Sequence, residues 1–250
     1  MDLAPSDERN TSFSGGSRVA FFGGSFDPPH LGHLAVARAA RAALGLDTVL
    51  FAPVGAQPLK PQGSSAGFQH RLAMTHLAIA AEPAFAVSLA DAPNPAGAPN
   101  YTLETLLKLR ADLPPAGRLF CLMGADSFAG LRRWHGAAQI PFAAPLIVAS
   151  RPSESLRQLD DLRARLPEGL VIEPAADTGL PESGIELRSY LLRNPAGNCT
   201  PFYLLPGLEI DISASQIRDQ VRAAEGSRVP GVELLPEAVS GYIRAYGLYR

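Results

Sequence analysis

Apolar and polar positions alternate between two periods along this chain: short apolar runs, each followed by a stretch of helical spacing. Val19–Phe22 has the length and composition of a buried parallel strand. Leu31–Leu44 is alanine-rich with apolar residues at helical intervals, and Gly45 is placed to end that helix. Thr48–Pro53 predicts a second strand, Phe68–Ala80 a helix and Phe85–Leu89 a third strand. A helix follows over Leu103–Ala111, with Thr102 as its cap and Thr105 and Lys108 on its more exposed surface. Arg118–Met123 predicts a central strand, Ser127–Trp134 a short helix, Leu146–Ala149 a strand and Ser155–Leu166 a helix. Ser213–Ala224 and Pro236–Tyr246 are helical, with Tyr242 and Tyr246 four apart as a packed aromatic pair. Prolines, glycines and asparagines make loops of 55–67 and 91–100. The segment 177–201 is similarly punctuated and is expected to be an extended loop or insertion, with Ile185–Leu192 a short element inside it.

Recurrent strand-then-helix order predicts an α/β fold, a mostly parallel sheet with helices on both faces and a helical C-terminal part. Ligands in such folds collect beyond the C-terminal strand ends, near the switch in strand order. The loops after Phe22, Pro53, Leu89 and Met123 hold most of the distinctive polar residues. Length adds that 18–250 is most simply one domain behind a polar leader, 1–17, expected to be disordered.

Charge changes the picture by exclusion. A formal net charge of −2 offers no bulk attraction for nucleic acid or an anionic membrane, while leaving room for an anionic small molecule. Cys121 and Cys199 form no metal-ligand cluster and no disulfide scaffold, and Cys121 lies in an apolar run expected to be buried. Without a basic segment followed by a long apolar one at the start, the expected compartment is the cytoplasm. No segment demands a homodimer over a monomer.

The candidate chemistry centres on Val19–His33, VAFFGGSFDPPHLGH. Gly23 and Gly24 let the backbone turn sharply at the strand end. Pro28 and Pro29 lead into the helix, whose first turn offers unpaired N–H groups and a positive dipole end. His30 and His33, three apart, share one face of that turn. Each feature alone is compatible with a turn or cap; together they suit a polyphosphate. A second stretch, Ile212–Arg218, ISASQIR, sets Ser213 and Ser215 at a helix start and Arg218 on the same side as Ser215. Arginine's forked donors suit phosphate oxygens, and the alternative is a capped surface helix with a solvated arginine. Asp126 is either a ribose acceptor or an N-cap, Trp134 either core or a stacking surface. Lys60 and Arg71 either neutralise phosphate or are solvated.

Gly23–His33 resembles the GGSFDPPHxGH signature of the bacterial nicotinate-mononucleotide adenylyltransferases, and Ile212–Arg218 resembles their ISSTxIR signature. YTLETL at Tyr101–Leu106, MGADSF at Met123–Phe128, Leu131 and Trp134 are similar to family segments in the same order. The resemblance implies a doubly wound, Rossmann-like nucleotidyltransferase fold. It implies adenylyl transfer from ATP to nicotinate mononucleotide, giving deamido-NAD and pyrophosphate, with Mg²⁺ carried on the ATP phosphates and no dedicated protein metal site. By the same resemblance His30, His33, Lys60 and Arg218 act on the phosphates, and Gly23, Gly24, Ser25 and Phe26 line the nucleotide path. Gly124 and Asp126 address adenosine, Ile212, Ser213 and Ser215 lie near the triphosphate, and Thr102, Trp134 and His135 surround the pyridine ring. Two departures stand out: Leu59 where the family loop has histidine before Lys60, and Ala214-Ser215 where it has Ser-Thr. The alternatives are adenylyl transfer to nicotinamide mononucleotide or phosphopantetheine, or cytidylyl transfer to a phosphoalcohol, and a non-catalytic nucleotide-binding regulator is the alternative of another class.

Overall fold

The computed structural model describes residues 15–59, 63–150, 159–175, 184–208, 213–223 and 232–250. The strands are β1 (Arg18–Gly24), β2 (Thr48–Pro53), β3 (Phe85–Val87), β4 (Arg118–Gly124), β5 (Leu146–Ala149), β6 (Val171–Pro174), β7 (Arg188–Arg193) and β8 (Cys199–Leu205). The helices are α1 (Leu31–Leu44), α2 (Phe68–Ile79), α3 (Thr102–Asp112), α4 (Ala125–Gly130), α5 (Ile140–Ala143), α6 (Leu159–Arg163), α7 (Ala214–Ala223) and α8 (Glu237–Tyr246). The strands form one sheet in the order β3-β2-β1-β4-β5-β8-β7-β6. Neighbours run parallel from β3 to β8, and β7 and β6 then reverse to antiparallel.

Period-two alternation in β1 shows how the sheet is covered. Val19 and Phe21 belong to the core on one face, with Leu106, Phe128 and Leu146. Ala20 and Phe22 belong to the other, with Leu34, Met74 and Val239. All four are buried, so the strand is apolar throughout, as a strand covered on both faces must be. The order reverses between β1 and β4: β2 and β3 extend to one side, β4 and β5 to the other. That reversal opens a crevice at the C-terminal ends of β1 and β4.

The predicted bounds of α1, β2 and β5 coincide with those observed. Gly45 ends α1 in the left-handed region, at φ 56°, donating its N–H to the Arg41 carbonyl. Tyr242 and Tyr246 stack with ring centroids 4.4 Å apart. Several local expectations differ. Thr105 is buried, with its hydroxyl on Asp91, because α3 turns that side toward the loop after β3. Tyr101 occupies the N-cap of α3, and Thr102 lies inside its first turn. The stretch 127–134 divides into the end of α4 and a 3₁₀ turn, Leu131–Arg133. Of the segment 177–201, the described part carries β7 and the first residues of β8, paired as an antiparallel ladder. The leader expected over 1–17 lies, apart from 15–17, outside the described residues.

Candidate active site

A cleft of about 1000 Å³ lies over the crossover, lined by the loop after β1 and the starts of α1, α3, α4 and α7. Each wall has a local cause. Gly23 packs tightly: a Cβ there would come within 2.7 Å of the Phe21 ring. Phe26 takes φ 47°, in the left-handed region that favours glycine, and so turns the chain toward α1. Its side chain is buried, edge-on to His33 at 5.0 Å between centroids. Phe26 therefore supports the histidine from below, beside Phe22 and Phe51.

His30 is the N-cap residue of α1 and is buried, whereas His33 is half-buried one turn on. The imidazoles stack with centroids 3.8 Å apart. The backbone N–H of His30 donates to His33 Nδ1 at 3.2 Å, which makes Nδ1 an acceptor and puts the ring proton of neutral His33 on Nε2. The result is an imidazole donor beside a helix N-terminus, a combination suited to an anion.

Arg218, from the second turn of α7, reaches the same loop. Its Nη1 donates to the Asp27 carbonyl at 2.8 Å and its Nη2 to Ser215 Oγ at 3.1 Å. Ser213 forms a reciprocal cap with Gln216: Ser213 Oγ accepts from the Gln216 N–H at 3.1 Å, and Gln216 Oε1 accepts from the Ser213 N–H at 3.0 Å. Both serines thus serve the helix start and the arginine, and both line the cleft. Ser25 Oγ accepts from Gln57 Nε2 at 3.1 Å, tying the β1–α1 loop to the loop after β2.

Gly124 is the N-cap of α4, and a Cβ there would meet open space. Asp126 is exposed in the first turn of that helix, so the N-cap alternative for it does not hold. Thr102, half-buried Trp134 and exposed His135 line the same cleft. His135 stacks on Tyr101 at 4.6 Å between centroids, and Trp134 packs against the core beneath. Lys60 and Ile212 lie outside the described residues.

The sequence reading gave Arg71 the wrong alternatives and passed over Asp27 and Asp91. Arg71 is only 2% exposed, neither solvated nor free for phosphate. Its guanidinium donates to the carbonyls of Ala66, Ser25 and Val54 at 3.2, 2.6 and 2.7 Å, joining the β1–α1 loop to both ends of the loop between β2 and α2 under the cleft. Burial lowers its pKa, and the carboxylate of Asp27 opposes that shift. Asp27 accepts from the N–H groups of Ser65 and Ala66 at 2.6 and 3.0 Å. An acid between a glycine turn and two prolines was a usable signal for Asp27. Asp91, buried in the proline-rich loop after β3, accepts from Thr105 Oγ1 at 2.8 Å, and burial raises its pKa. Burial, with the Asp91 charge, pushes the Cys121 thiol up to about 12.

A cytidylyltransferase-like family model matches residues 21–220. A Trichlorobacter lovleyi protein named "Probable nicotinate-nucleotide adenylyltransferase" is 37% identical over 237 residues, covering 93% of this chain and 99% of that one. A Gloeobacter violaceus protein of the same name is 35% identical over 237 residues, covering 94% and 97%. Among solved structures, the nicotinic acid mononucleotide adenylyltransferase of Plasmodium falciparum complexed with NaAD is similar in fold, with a TM-score of 0.62 at 16% identity over 93% of this chain and 97% of that one. On the extent of these matches, the chain belongs to the cytidylyltransferase-like family, among its nicotinate-nucleotide adenylyltransferases.

Proposed function

We propose that this chain transfers the adenylyl group of ATP to nicotinate mononucleotide, producing deamido-NAD and pyrophosphate. An oxygen of the mononucleotide phosphate attacks the α-phosphorus of ATP in line, and the bond from that phosphorus to the oxygen bridging it to the β-phosphorus breaks, that oxygen leaving as a terminal oxygen of pyrophosphate. No covalent enzyme intermediate is needed, because positioning and charge stabilisation carry most of such a step. The observation that carries this reading is the convergence of the stacked His30 and His33 at the start of α1 with Arg218, held 2.8 Å from the Asp27 carbonyl. These donors face the crossover where a triphosphate fits.

In this reading His33 Nε2 and the Arg218 guanidinium stabilise charge that spreads over the phosphates, with His30, Ser213 and Ser215 beside them, and the family resemblance assigns Lys60 and Ile212 to the same phosphates. Gly23, Gly24 and Ser25 let the nucleotide approach the backbone, Gly124 and Asp126 meet adenosine, and Thr102, Trp134 and His135 surround the pyridine ring. The converging donors are imidazole, guanidinium and hydroxyl groups, which suit phosphate oxygens; Mg²⁺ fits best as a passenger on the triphosphate. When bound there, Mg²⁺ neutralises phosphate charge. Among the described residues no helix is long and apolar enough to cross a membrane, which is compatible with work in the cytoplasm on small nucleotides.

The deciding experiment is pyrophosphate release with purified protein and Mg-ATP. Release is expected only when nicotinate mononucleotide is also present. If neither that compound nor its amide supports release, the acceptor assignment fails; release with CTP and a phosphoalcohol instead would move the chain to the sister reaction.

A further inference from the structure

Asp91 is the carboxylate that the reaction outlined above leaves unused. It is 4% exposed, yet it lines the cleft on the same side as Tyr101, Thr102 and Trp134. Among the described residues, the one hydrogen bond to its side chain is from Thr105 Oγ1, at 2.8 Å. A carboxylate has two oxygens and about four lone-pair directions, so this bond leaves acceptor capacity unused. Thr105 Oγ1 also approaches the Tyr101 carbonyl at 3.3 Å, which ties Asp91 to the first turn of α3. From the other side, the Asp91 carbonyl accepts from the Gly55 N–H at 2.8 Å. Gly55 has no room for a side chain, since a Cβ would lie 2.5 Å from the Pro93 backbone. Asn100 adds a strap: its Oδ1 accepts from the Ala56 N–H at 3.1 Å and its Nδ2 donates to the Ala92 carbonyl at 2.9 Å. The carboxyl is therefore built into a firm wall and cannot swing out to water.

Holding a carboxyl in so dry a place is unfavourable unless something positive comes to meet it. Among the described residues no Lys or Arg is hydrogen-bonded or ion-paired to Asp91. Burial accordingly favours its protonated form, and the facing Cys121 thiol, also on the cleft wall, is discouraged from ionising. An oxidised pyridine nucleotide, its aromatic ring nitrogen quaternised by the N-glycosidic bond, carries a positive ring. That charge is what this wall lacks.

We propose that Asp91 is a specificity-determining residue that recognises the positive charge of the acceptor's pyridinium ring. The proposal rests on the adenylyltransferase reading and adds to it the feature by which an oxidised pyridine nucleotide is told from an uncharged one. The carboxyl of nicotinate sits at a different ring position and is left to the N–H donors near Thr102 and His135. Asp91 takes the ring charge alone. Asp91→Asn removes the charge and keeps an oxygen for Thr105, whereas Thr105→Val removes the hydroxyl donor and keeps the charge.

The test compares nicotinate mononucleotide with its 1,4-dihydro form, which retains phosphate, ribose and carboxyl but has a neutral ring. kcat/KM is measured for both with saturating Mg-ATP. Wild type is expected to favour the charged ring at least tenfold, about 1.4 kcal/mol. Asp91→Asn is expected to shrink that ratio at least fivefold, mainly through KM for the charged acceptor, with KM for ATP within twofold. Thr105→Val is expected to keep the wild-type ratio even if both rates fall. Equal use of the two forms by wild type overturns the proposal without needing any variant. So does an Asp91→Asn enzyme that keeps the wild-type ratio. No turnover of either form by wild type would instead overturn the adenylyltransferase reading itself.

Discussion

The phenol of Tyr249 donates to Asp27 Oδ1 at 2.7 Å, joining residues 222 positions apart in the chain. Asp27 in turn holds Ser65 and Ala66 through its carboxylate and Arg218 through its carbonyl. One buried acid thus gathers the β1–α1 loop, the approach to α2, the second turn of α7 and the chain end beyond α8.

Tyr249→Phe keeps the ring and removes only this donor, so it is expected to destabilise the fold by about 1–3 kcal/mol at neutral pH. The contact also has a pH signature. Burial and the Asp27 charge raise the phenol's pKa above its ordinary value of 10.0. Folding therefore retains the proton: the contribution is complete below that value and declines as pH rises beyond it, where the unfolded phenol ionises first. Urea unfolding of wild type and Tyr249→Phe should show a stability gap that is constant below pH ~10 and narrows above it. A gap that widens with alkaline pH would contradict this account.

Arg71→Met fills similar space but leaves the carbonyls of Ala66, Ser25 and Val54 without the donor they share, and removes one of the positive charges near Asp27. The expected loss is about 3–5 kcal/mol, the range for breaking a buried charged partnership. The urea midpoint should fall with little change in m-value. An unchanged midpoint would show that the two loops are held by something else.

His33→Ala should unfold as cooperatively as wild type yet transfer adenylyl at least ~100-fold more slowly, the scale of one lost electrostatic donor. The stacking of His33 on His30 and over Phe26 orients that donor. Normal turnover in a well-folded variant would remove His33 from the reacting groups.

Nicotinate mononucleotide should be preferred over its amide by roughly tenfold or more, because an amide N–H₂ set against N–H donors near Thr102 and His135 costs on the order of 1–3 kcal/mol. Steady-state kcat/KM for both acceptors measures it, and equal values would refute acid specificity. Trp134→Ala should raise KM for either acceptor if the half-buried indole stacks on the ring; unchanged KM values would return Trp134 to a packing role.

The parts legible in the sequence are those whose causes are local. The spacing of Leu34, Ala37 and Leu44 defines α1, and the unbroken run Leu146–Ala149 defines β5. The glycine turn, His30, His33 and Arg218 stand out by their types and intervals, and all of them line the cleft. What escaped depends on distant partners. Arg71 looks like any helix-surface arginine until the carbonyl of Ser25, 46 residues away, is beside it. Thr105 looks solvent-facing until Asp91 comes from the loop after β3. β7 alternates weakly and mixes arginines with half-buried residues, because it lies near the sheet's antiparallel margin and is only partly covered; its pairing with β8 is a tertiary fact.

The bond from Tyr249 to Asp27 also sets an order of events during synthesis. Asp27 emerges early from the ribosome, but its loop cannot reach final form until α8 and Tyr249 have followed more than two hundred residues later. The central strands can associate beforehand, since β1, β2 and β4 are complete by residue 124. A growing chain can therefore pair its central strands before the loop that carries Asp27 is tied in place. Any ligand that binds only the finished form draws that last step toward completion by mass action.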